Sequence, residues 1–356
     1  MLVFRTSYYL PVTGAWRGVR VGGGALGYGD SVDCGAEIGV LSGRDLQRAL
    51  AEYAERTRGG YAPQLAALAY LITGAPEALA GYFPRLGALA PADRARLFAL
   101  ARVVAEHPHF DLRLLDVGRR DVTPDLPGDA RMLVAGQVAE LFLDRQDLLA
   151  RLLASPRPFR LYTTPRAFAD DGGVAGGCYN GSTGALQLLL ARLYEGFYAP
   201  TPGVAPFLHE FGHMLDHFDC ARATHGPSSG LLPGLRPGDG AGYTPGARAQ
   251  FLEGKQLELA RYLRRCAGET GAGELPIGHP YVFQNDTEFV AGYLELFLRS
   301  PHAFARMNPA LFQGLATLFD YDPRAAWPAD FPFYIDENRR YYASGQRPPA
   351  PGLTLP

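Results

Sequence analysis

The sequence predicts an α+β protein in which a small mixed sheet and a motif-bearing helix form one domain, preceded by a mainly helical region. Three observations support this prediction. Helical residue patterns extend from Ser42 to Ala154, strand-like runs flank tight turns between Phe159 and Leu190, and an apolar helix is indicated over Pro206–Phe218. A chain of 356 residues, 47% of them hydrophobic, can bury a substantial core in one large or two modest domains.

The N-terminal region is expected to be mainly helical after a short β-like start. Residues 1–42 alternate β-like runs with glycine clusters, and Gly22–Gly27 fits the pattern G-x-G-x-x-G. The residues that follow do not open the helix that a dinucleotide site requires, so this segment is interpreted as a loop. Further along, Pro91 is expected to start a helix, and Asp129 precedes a long helix that ends near Ala154.

Ser155–Pro158 is the clearest candidate for a domain boundary, because a serine and two prolines interrupt the helical pattern. We expect one region over residues 1–155, a second domain over 156–330, and an irregular proline-rich tail over 331–356. Just after the boundary, Phe159–Thr164 is predicted to be a strand. A hairpin is predicted next, with its turn at 181–184.

The helix predicted at Pro206–Phe218 contains two histidines, His209 and His213, and a glutamate follows the first of them. Proline suits the first turn of a helix, and the apolar residues around the histidines indicate a buried helix. Histidines four residues apart project from one helical face, so two imidazole nitrogens can reach one zinc ion, with Glu210 placed to act on a water. The competing interpretation is a chance match in which the histidines are hydrogen-bonded core residues.

Zinc needs a third protein ligand, and the sequence offers several. His217 continues the spacing, but it lies ~12 Å along the helix axis from His209, too far to share one ion, and is expected at the surface or beside a ligand. Glu288 falls in the first turn of a second predicted helix, where it can instead form a capping box with Asn285. Two rival ligands on another predicted helix are Glu253 and Glu258.

Two segments, His209–Asp216 (HEFGHMLD) and Tyr281–Pro301 (YVFQNDTEFVAGYLELFLRSP), resemble the zinc peptidase group that contains the Mlc titration factor A family and the catalytic domain of anthrax lethal factor. In that group the first helix follows HEFxHxxD, the second motif follows Y-x6-EFFA, and the glutamate of the second motif is the third zinc ligand. The resemblance covers these two short motifs and a closing helix within 308–321. The chain departs from the group's pattern at Val290 and Gly292.

Carried over position by position, the resemblance implies a zincin-like fold and a zinc cofactor. The implied ligands are His209, His213 and Glu288. The resemblance also implies that Glu210 is the general base and that the Tyr281 hydroxyl stabilises the oxyanion. Asp216 matches the aspartate that follows the first motif, and the resemblance implies that it orients an imidazole.

The function expected from these residues is a zinc-dependent peptidase that hydrolyses a peptide or protein substrate. One alternative is a regulatory protein of the same fold that sequesters a protein partner such as a transcriptional repressor, and another is a toxin-like effector protease. The predicted hairpin lies where zinc peptidases present a sheet edge to an extended peptide, although an ordinary core hairpin explains it equally well. Ala223–Gly246, rich in glycine, proline and serine, is expected to line or cover the cleft.

Composition and charge narrow the expected partners and compartment. The formal net charge of −2 gives no basic field for nucleic acid and no attraction to a membrane surface. Four cysteines lie far apart, as expected of reduced thiols, and no apolar run reaches the length of a membrane span. Because residues 1–10 also lack the features of a secretion signal, the cytoplasm is the expected compartment.

Overall fold

The protein is mixed α+β and mostly helical, with a five-stranded mixed sheet. The computed structural model describes residues 3–10, 15–22, 25–29, 40–41, 85, 88–126, 128–173, 176–190, 192–193, 205–219, 224–225, 228–237, 245–269, 275–327 and 329–355. Of the first four ranges only the backbone is described. Among all these residues, no helix combines the length and the apolar character needed to cross a membrane.

The strands fall into three sheets. They are β1 Val3–Leu10, β2 Ala15–Gly22, β3 Ala25–Gly29, β4 Val40–Leu41, β5 Phe110–Asp116, β6 Arg120–Asp121, β7 Arg157–Tyr162, β8 Gly177–Asn180, β9 Ala185–Leu189, β10 Phe218–Asp219 and β11 Thr224–His225. Strands β1 to β4 form an antiparallel sheet in sequence order, which confirms the β-like start predicted for residues 1–42. Gly22 ends β2 and residues 25–27 lie in β3, so the loop interpretation of the G-x-G-x-x-G segment was wrong for these residues. A strand stands where a dinucleotide site requires a helix.

The five-stranded sheet has the order β6-β5-β7-β9-β8. Strands β5, β7 and β9 run parallel, whereas β6 and β8 pair antiparallel with their neighbours. The predicted strand is β7, and the predicted hairpin is β8 with β9, so both predictions are confirmed. Strand β8 forms one edge of the sheet, and β9 separates it from the strands that precede the hairpin.

Strand β5 lies inside the region that was predicted to be mainly helical, so that prediction was wrong for this segment. The alternation of buried Phe110, Leu112 and Leu114 with more exposed neighbours has the period of two that a strand requires. Because β5 pairs with β7, residues before and after Ser155–Pro158 share one sheet. In the part of the chain that the structure describes, no break in the sheet marks the predicted boundary.

Eleven α-helices have both of their ends among the described residues. They are α1 Pro91–Glu106, α2 Gly128–Leu141, α3 Gln146–Leu152, α4 Pro165–Asp170, α5 Pro206–His217, α6 Leu232–Leu235, α7 Pro245–Cys266, α8 Asp286–Arg299, α9 Pro301–Met307, α10 Pro309–Phe319 and α11 Phe333–Ala343. Helices α1, α5, α7, α8 and α10 match the sequence predictions. One cluster of buried apolar side chains extends from Leu97 in α1 to Ile335 in α11, so these helices share a core with the sheet.

The long helix predicted after Asp129 is interrupted between α2 and α3. Arg145 lies in the interruption, where its guanidinium donates to the Leu318 carbonyl (2.7 Å) and pairs with Asp147 (2.8 Å). Both partners form charge-assisted hydrogen bonds with this buried arginine, which hold the interruption against α10. The bond to Leu318 depends on a residue 173 positions away, which local helical periodicity does not reveal.

The tail predicted over 331–356 is only partly irregular. Its first half forms α11, because Ile335 and Asn338 are buried against the body of the protein. The described residues that follow form no helix or strand, as predicted. Their backbone is held by hydrogen bonds: Gly352 donates to the Phe283 carbonyl (2.9 Å), and the Pro349 carbonyl accepts from the Tyr262 hydroxyl (2.9 Å). This segment therefore packs beside the turn that precedes α8.

Helices α5 and α8 cross with their backbones in close contact. At the crossing, a Cβ on Gly212 would lie 2.8 Å from the Cα of Ala291, closer than such atoms approach in folded proteins. Glycine is therefore the residue that permits this separation, much as small residues do wherever helices pack closely. The crossing sets how near the side chains of one helix come to those of the other.

Replacing Gly212 by Ala should lower the free energy of unfolding by about 1–3 kcal/mol, because the added methyl meets backbone and forces the helices apart. Gly292→Ala is the comparison, since its Cβ would meet the Val282 side chain, which can change rotamer. We expect a smaller loss there. Chemical denaturation of both variants measures the difference, and a Gly212→Ala protein as stable as the parent would contradict the role given to this crossing.

Candidate metal centre

Helix α5 places two histidines on the face that looks toward α8. Pro206 occupies the first helical position, which suits a residue that has no N–H to donate, and most of the following side chains are buried. His209 and His213 are one turn apart, and their rings stand 5.0 Å apart, centroid to centroid, in an edge-to-face arrangement. The helix therefore holds both imidazoles side by side in a largely apolar environment.

Helix α8 brings a carboxylate to these imidazoles. Asn285 caps the helix by accepting hydrogen bonds from the N–H groups of Thr287 (3.0 Å) and Glu288 (2.9 Å). This is half of the capping box considered from the sequence. The Glu288 carboxylate points to the other helix, where Oε2 lies 3.1 Å from His209 Nε2 and 3.4 Å from His213 Nε2.

The three side chains form a group that could hold a metal ion. One donor atom from each lies within 4.8 Å of the others. Ligands about 2.1 Å from a tetrahedral ion stand about 3.4 Å apart, which is close to the observed spacing of the Glu288 oxygen from each imidazole nitrogen. Two imidazoles and one carboxylate are also the donors of many catalytic zinc sites, so donor type and spacing both fit zinc.

Charges within the group are strongly coupled. Burial favours the neutral imidazole, but the carboxylates of Glu288 and Glu295 outweigh it and raise the pKa of His209 to about 10. Burial likewise opposes ionisation of Glu288, yet hydrogen bonding to His209 and His213 holds the pKa of that carboxyl well below its usual range. Without metal, a proton on the imidazole balances part of the buried negative charge, and a metal ion must displace it.

Glu210 lies on the sheet side of this group. Its side chain is buried, and burial raises the pKa of its carboxyl. A Cβ on Gly177, in edge strand β8, would lie 3.3 Å from Glu210 Oε1. The absence of a side chain at Gly177 therefore lets the strand pass directly beside the carboxylate.

Tyr281 lies beside His209, in the 3₁₀ turn Pro280–Phe283 ahead of α8. The turn is capped by His279, whose Nδ1 accepts from the Tyr281 N–H (3.2 Å). The Tyr281 ring is 6.1 Å from the His209 ring, and the residue is 44% exposed. Burial of the hydroxyl, with the charge of Glu288 close by, raises the pKa of Tyr281 to about 12, so it keeps its proton at neutral pH.

Glu295 is a residue at this centre that the sequence analysis missed. Its Oε2 lies 3.6 Å from His209 Nδ1, on the opposite side of the ring from Glu288. The signal was available in the spacing, because residues seven apart on a helix share one face. Glu288 and Glu295 are seven apart, so a second acidic side chain was to be expected on the face that presents the third ligand.

Asp216 does not orient an imidazole, contrary to the expectation from the resemblance. Its buried carboxylate accepts the backbone N–H groups of Gly230 (2.9 Å) and Leu231 (2.8 Å) and the hydroxyl of Ser228. Asp216 therefore anchors a segment of the glycine-rich stretch predicted to cover the cleft. Within that stretch, only 224–225, 228–237 and 245–246 are described, and they include helix α6.

The other acidic and histidine candidates lie outside the three-residue group. Glu258 is fully buried elsewhere, paired with Arg261 (2.8 Å) and accepting the Ile277 N–H (2.7 Å), while Glu253 is exposed. The His217 ring packs 5.0 Å from the ring of Tyr179 on β8. Its position one turn beyond His213 agrees with the prediction that it is not a ligand.

Comparison of the chain with protein-family models and with curated proteins found no match.

Replacing His213 by Ala should abolish stoichiometric metal binding, because the two remaining ligands do not complete a tetrahedral site. Glu288→Gln should weaken binding by removing the negative ligand. His217→Ala is the matched control on the same helix and should retain the metal. Metal content after dialysis and competition with a chromophoric chelator measure these effects. Retention of one metal ion per chain by His213→Ala would overturn the assignment.

Asp216→Asn should separate anchoring from metal binding. The amide replaces one acceptor by a donor and removes the charge, so the free energy of unfolding should fall by about 1.5–3 kcal/mol. Metal affinity should stay at the parental value, since no ligand is touched. A weakened metal site in a protein of unchanged stability would instead support the role that the resemblance implied.

Proposed function

We propose that the protein is a zinc-dependent peptidase with a zincin-like fold, in which His209, His213 and Glu288 hold the metal. The observation that carries this proposal is the convergence of those three donor atoms, with a buried carboxylate, Glu210, and a tyrosine, Tyr281, close by. The resemblance of both motifs to the group containing the Mlc titration factor A family points to the same chemistry. When bound, zinc would act as a Lewis acid on the scissile carbonyl and lower the pKa of water.

Glu210 would perform the proton transfers. Its carboxylate accepts a proton from the attacking water, and the same group then donates that proton to the leaving nitrogen as the C–N bond breaks. Burial, which raises the pKa of Glu210, brings the carboxyl closer to the pH at which it must both take and return a proton. A fully solvated glutamate, with its lower pKa, would be a weaker base toward the attacking water.

Tyr281 would stabilise the negative charge that develops on the carbonyl oxygen. Its hydroxyl stays protonated at neutral pH, because the pKa is raised to about 12, so it can donate a hydrogen bond. The residue belongs to the turn that leads into α8, and the rigid cap at Asn285 fixes that turn relative to Glu288. One such donor typically contributes about a hundredfold to a thousandfold to turnover.

Strand β8 offers a place for the substrate. It is an edge of the five-stranded sheet, and its backbone passes beside Glu210 at Gly177. An extended peptide that paired with this edge would bring its carbonyl groups along the carboxylate, with main-chain hydrogen bonds providing affinity for many sequences. We therefore propose a peptide or an unfolded protein segment, bound in extended form, as the substrate.

We also propose a cytoplasmic location. The four cysteines lie far apart in the sequence, as expected of reduced thiols in a reducing compartment.

Replacing Glu210 by Gln should test the reaction directly. The amide preserves size and leaves all three proposed ligands in place but cannot accept a proton. Peptide hydrolysis should therefore fall by about a hundredfold to ten-thousandfold, while metal content and thermal stability stay near the parental values. Tyr281→Phe should reduce turnover less than Glu210→Gln does and leave the metal bound.

Cleavage at the parental rate by both variants would refute this mechanism. The control is Tyr341→Phe, which removes a hydroxyl from helix α11 and touches none of the three proposed ligands. If the parent binds zinc and captures a cellular protein but hydrolyses no peptide, the regulatory alternative is favoured over the peptidase.

A further inference from the structure

We propose that Glu295 and Tyr334 are positioning residues for His209: they hold its imidazole with Nδ1 against a carboxylate, so that Nε2 faces the metal position. This inference rests on the metal site of the proposed function. It assigns a role to a buried carboxylate, Glu295, and a partly buried phenol, Tyr334, that neither the motifs nor the proposed reaction uses.

The two nitrogens of His209 face two carboxylates from the same helix. Nε2 lies 3.1 Å from Glu288 Oε2, and Nδ1 lies 3.6 Å from Glu295 Oε2. Glu288 and Glu295 are two turns apart on α8, so the ring stands between them. An imidazole that donates its Nδ1–H to Glu295 presents an unprotonated Nε2, which is the form that binds a metal.

Glu295 is itself held in place. Its side chain is 8% exposed, and Oε1 accepts both the Tyr334 hydroxyl and the N–H of Ala205 (3.2 Å). Tyr334 comes from α11, and its oxygen also lies 3.3 Å from the Ala205 nitrogen. With Oε1 occupied by two donors, Oε2 is left directed at His209, and rotation of the carboxylate would break both bonds.

Ala205 immediately precedes the first residue of α5, so the same carboxylate also fixes where the motif helix begins. If Glu295 had only this structural role, its substitution would lower the stability of the protein. Zinc affinity would then fall only as far as the loss of stability explains. A positioning role predicts in addition that the electronic environment of the bound metal changes, because the Nδ1–H partner sets the basicity and orientation of the ligand ring.

The test compares Glu295→Gln, Glu295→Leu and the parent. The glutamine loses the charge and has one oxygen to serve both Nδ1–H and the two donors now at Oε1, whereas leucine removes every acceptor. Zinc affinity, measured by chelator competition, should fall about tenfold for glutamine and about a hundredfold for leucine. The visible absorption of the cobalt-substituted protein should shift in the same order. Glu253→Gln, an exposed glutamate on α7, is the matched control and should change neither.

Tyr334→Phe is an independent test, because it removes the hydroxyl that donates to Glu295 but leaves the carboxylate in place. It should lower zinc affinity severalfold and shift the cobalt spectrum slightly, whereas Tyr341→Phe on the same helix should do neither. Unchanged affinity and spectrum in folded Glu295→Gln and Tyr334→Phe proteins would overturn the inference while leaving the zinc site intact.

A readout on the metal-free protein separates the inference from the proposed function. In nitrogen-15 spectra, the ring Nδ1–H of His209, assigned by its absence in His209→Ala, should be protected from exchange with water in the parent and lose that protection in Glu295→Leu. If the parent protein binds no zinc, the proposed function is refuted. The exchange protection of the His209 Nδ1–H would still show whether the ring contacts Glu295. An unprotected Nδ1–H in the parent would overturn the contact.

Discussion

The close crossing of α5 and α8 is the constraint on which the centre depends. Gly212 lies between the two histidines, and Ala291 lies one turn beyond Glu288, so the contact is directly beneath the three donor atoms. Separation of the helices at this point would translate almost directly into separation of the ligands, because each side chain is short and fixed by packing. Backbone contact thus sets a ligand spacing that side-chain flexibility alone would leave loose.

The electrostatics of the centre complement this geometry. Three carboxylates, Glu210, Glu288 and Glu295, are gathered around two imidazoles within a largely buried region, an arrangement that is costly unless positive charge is supplied. In the metal-free protein, the raised pKa of His209 shows how the site meets that need with a proton. A divalent cation would supply more positive charge than one proton does. This is a physical reason to expect metal binding that does not depend on any sequence motif.

Local patterns were sufficient to predict the elements that carry the chemistry. Three features depend only on residues that are close in sequence, and each is present as predicted. They are the spacing of His209 and His213 on one helix, the cap at Asn285, and the hairpin beside β7. What could not be predicted depends on distant partners. Strand β5 forms because it pairs with β7, and Asp216 accepts hydrogen bonds from the 228–231 segment. Tyr334 donates to Glu295 from a region that the sequence predicted to be irregular.

The contact between Ala205 and Tyr334 joins residues 129 positions apart, and this has a consequence for folding. Synthesis proceeds at about 5–20 residues per second, so Tyr334 follows Ala205 by roughly 6–26 s. During that interval the motif helix can form, but its entry point and the His209 ring lack their final support. The support that Tyr334 gives to Ala205 and Glu295 therefore becomes available only when about nine-tenths of the chain has been synthesised, so the complete centre assembles late in synthesis.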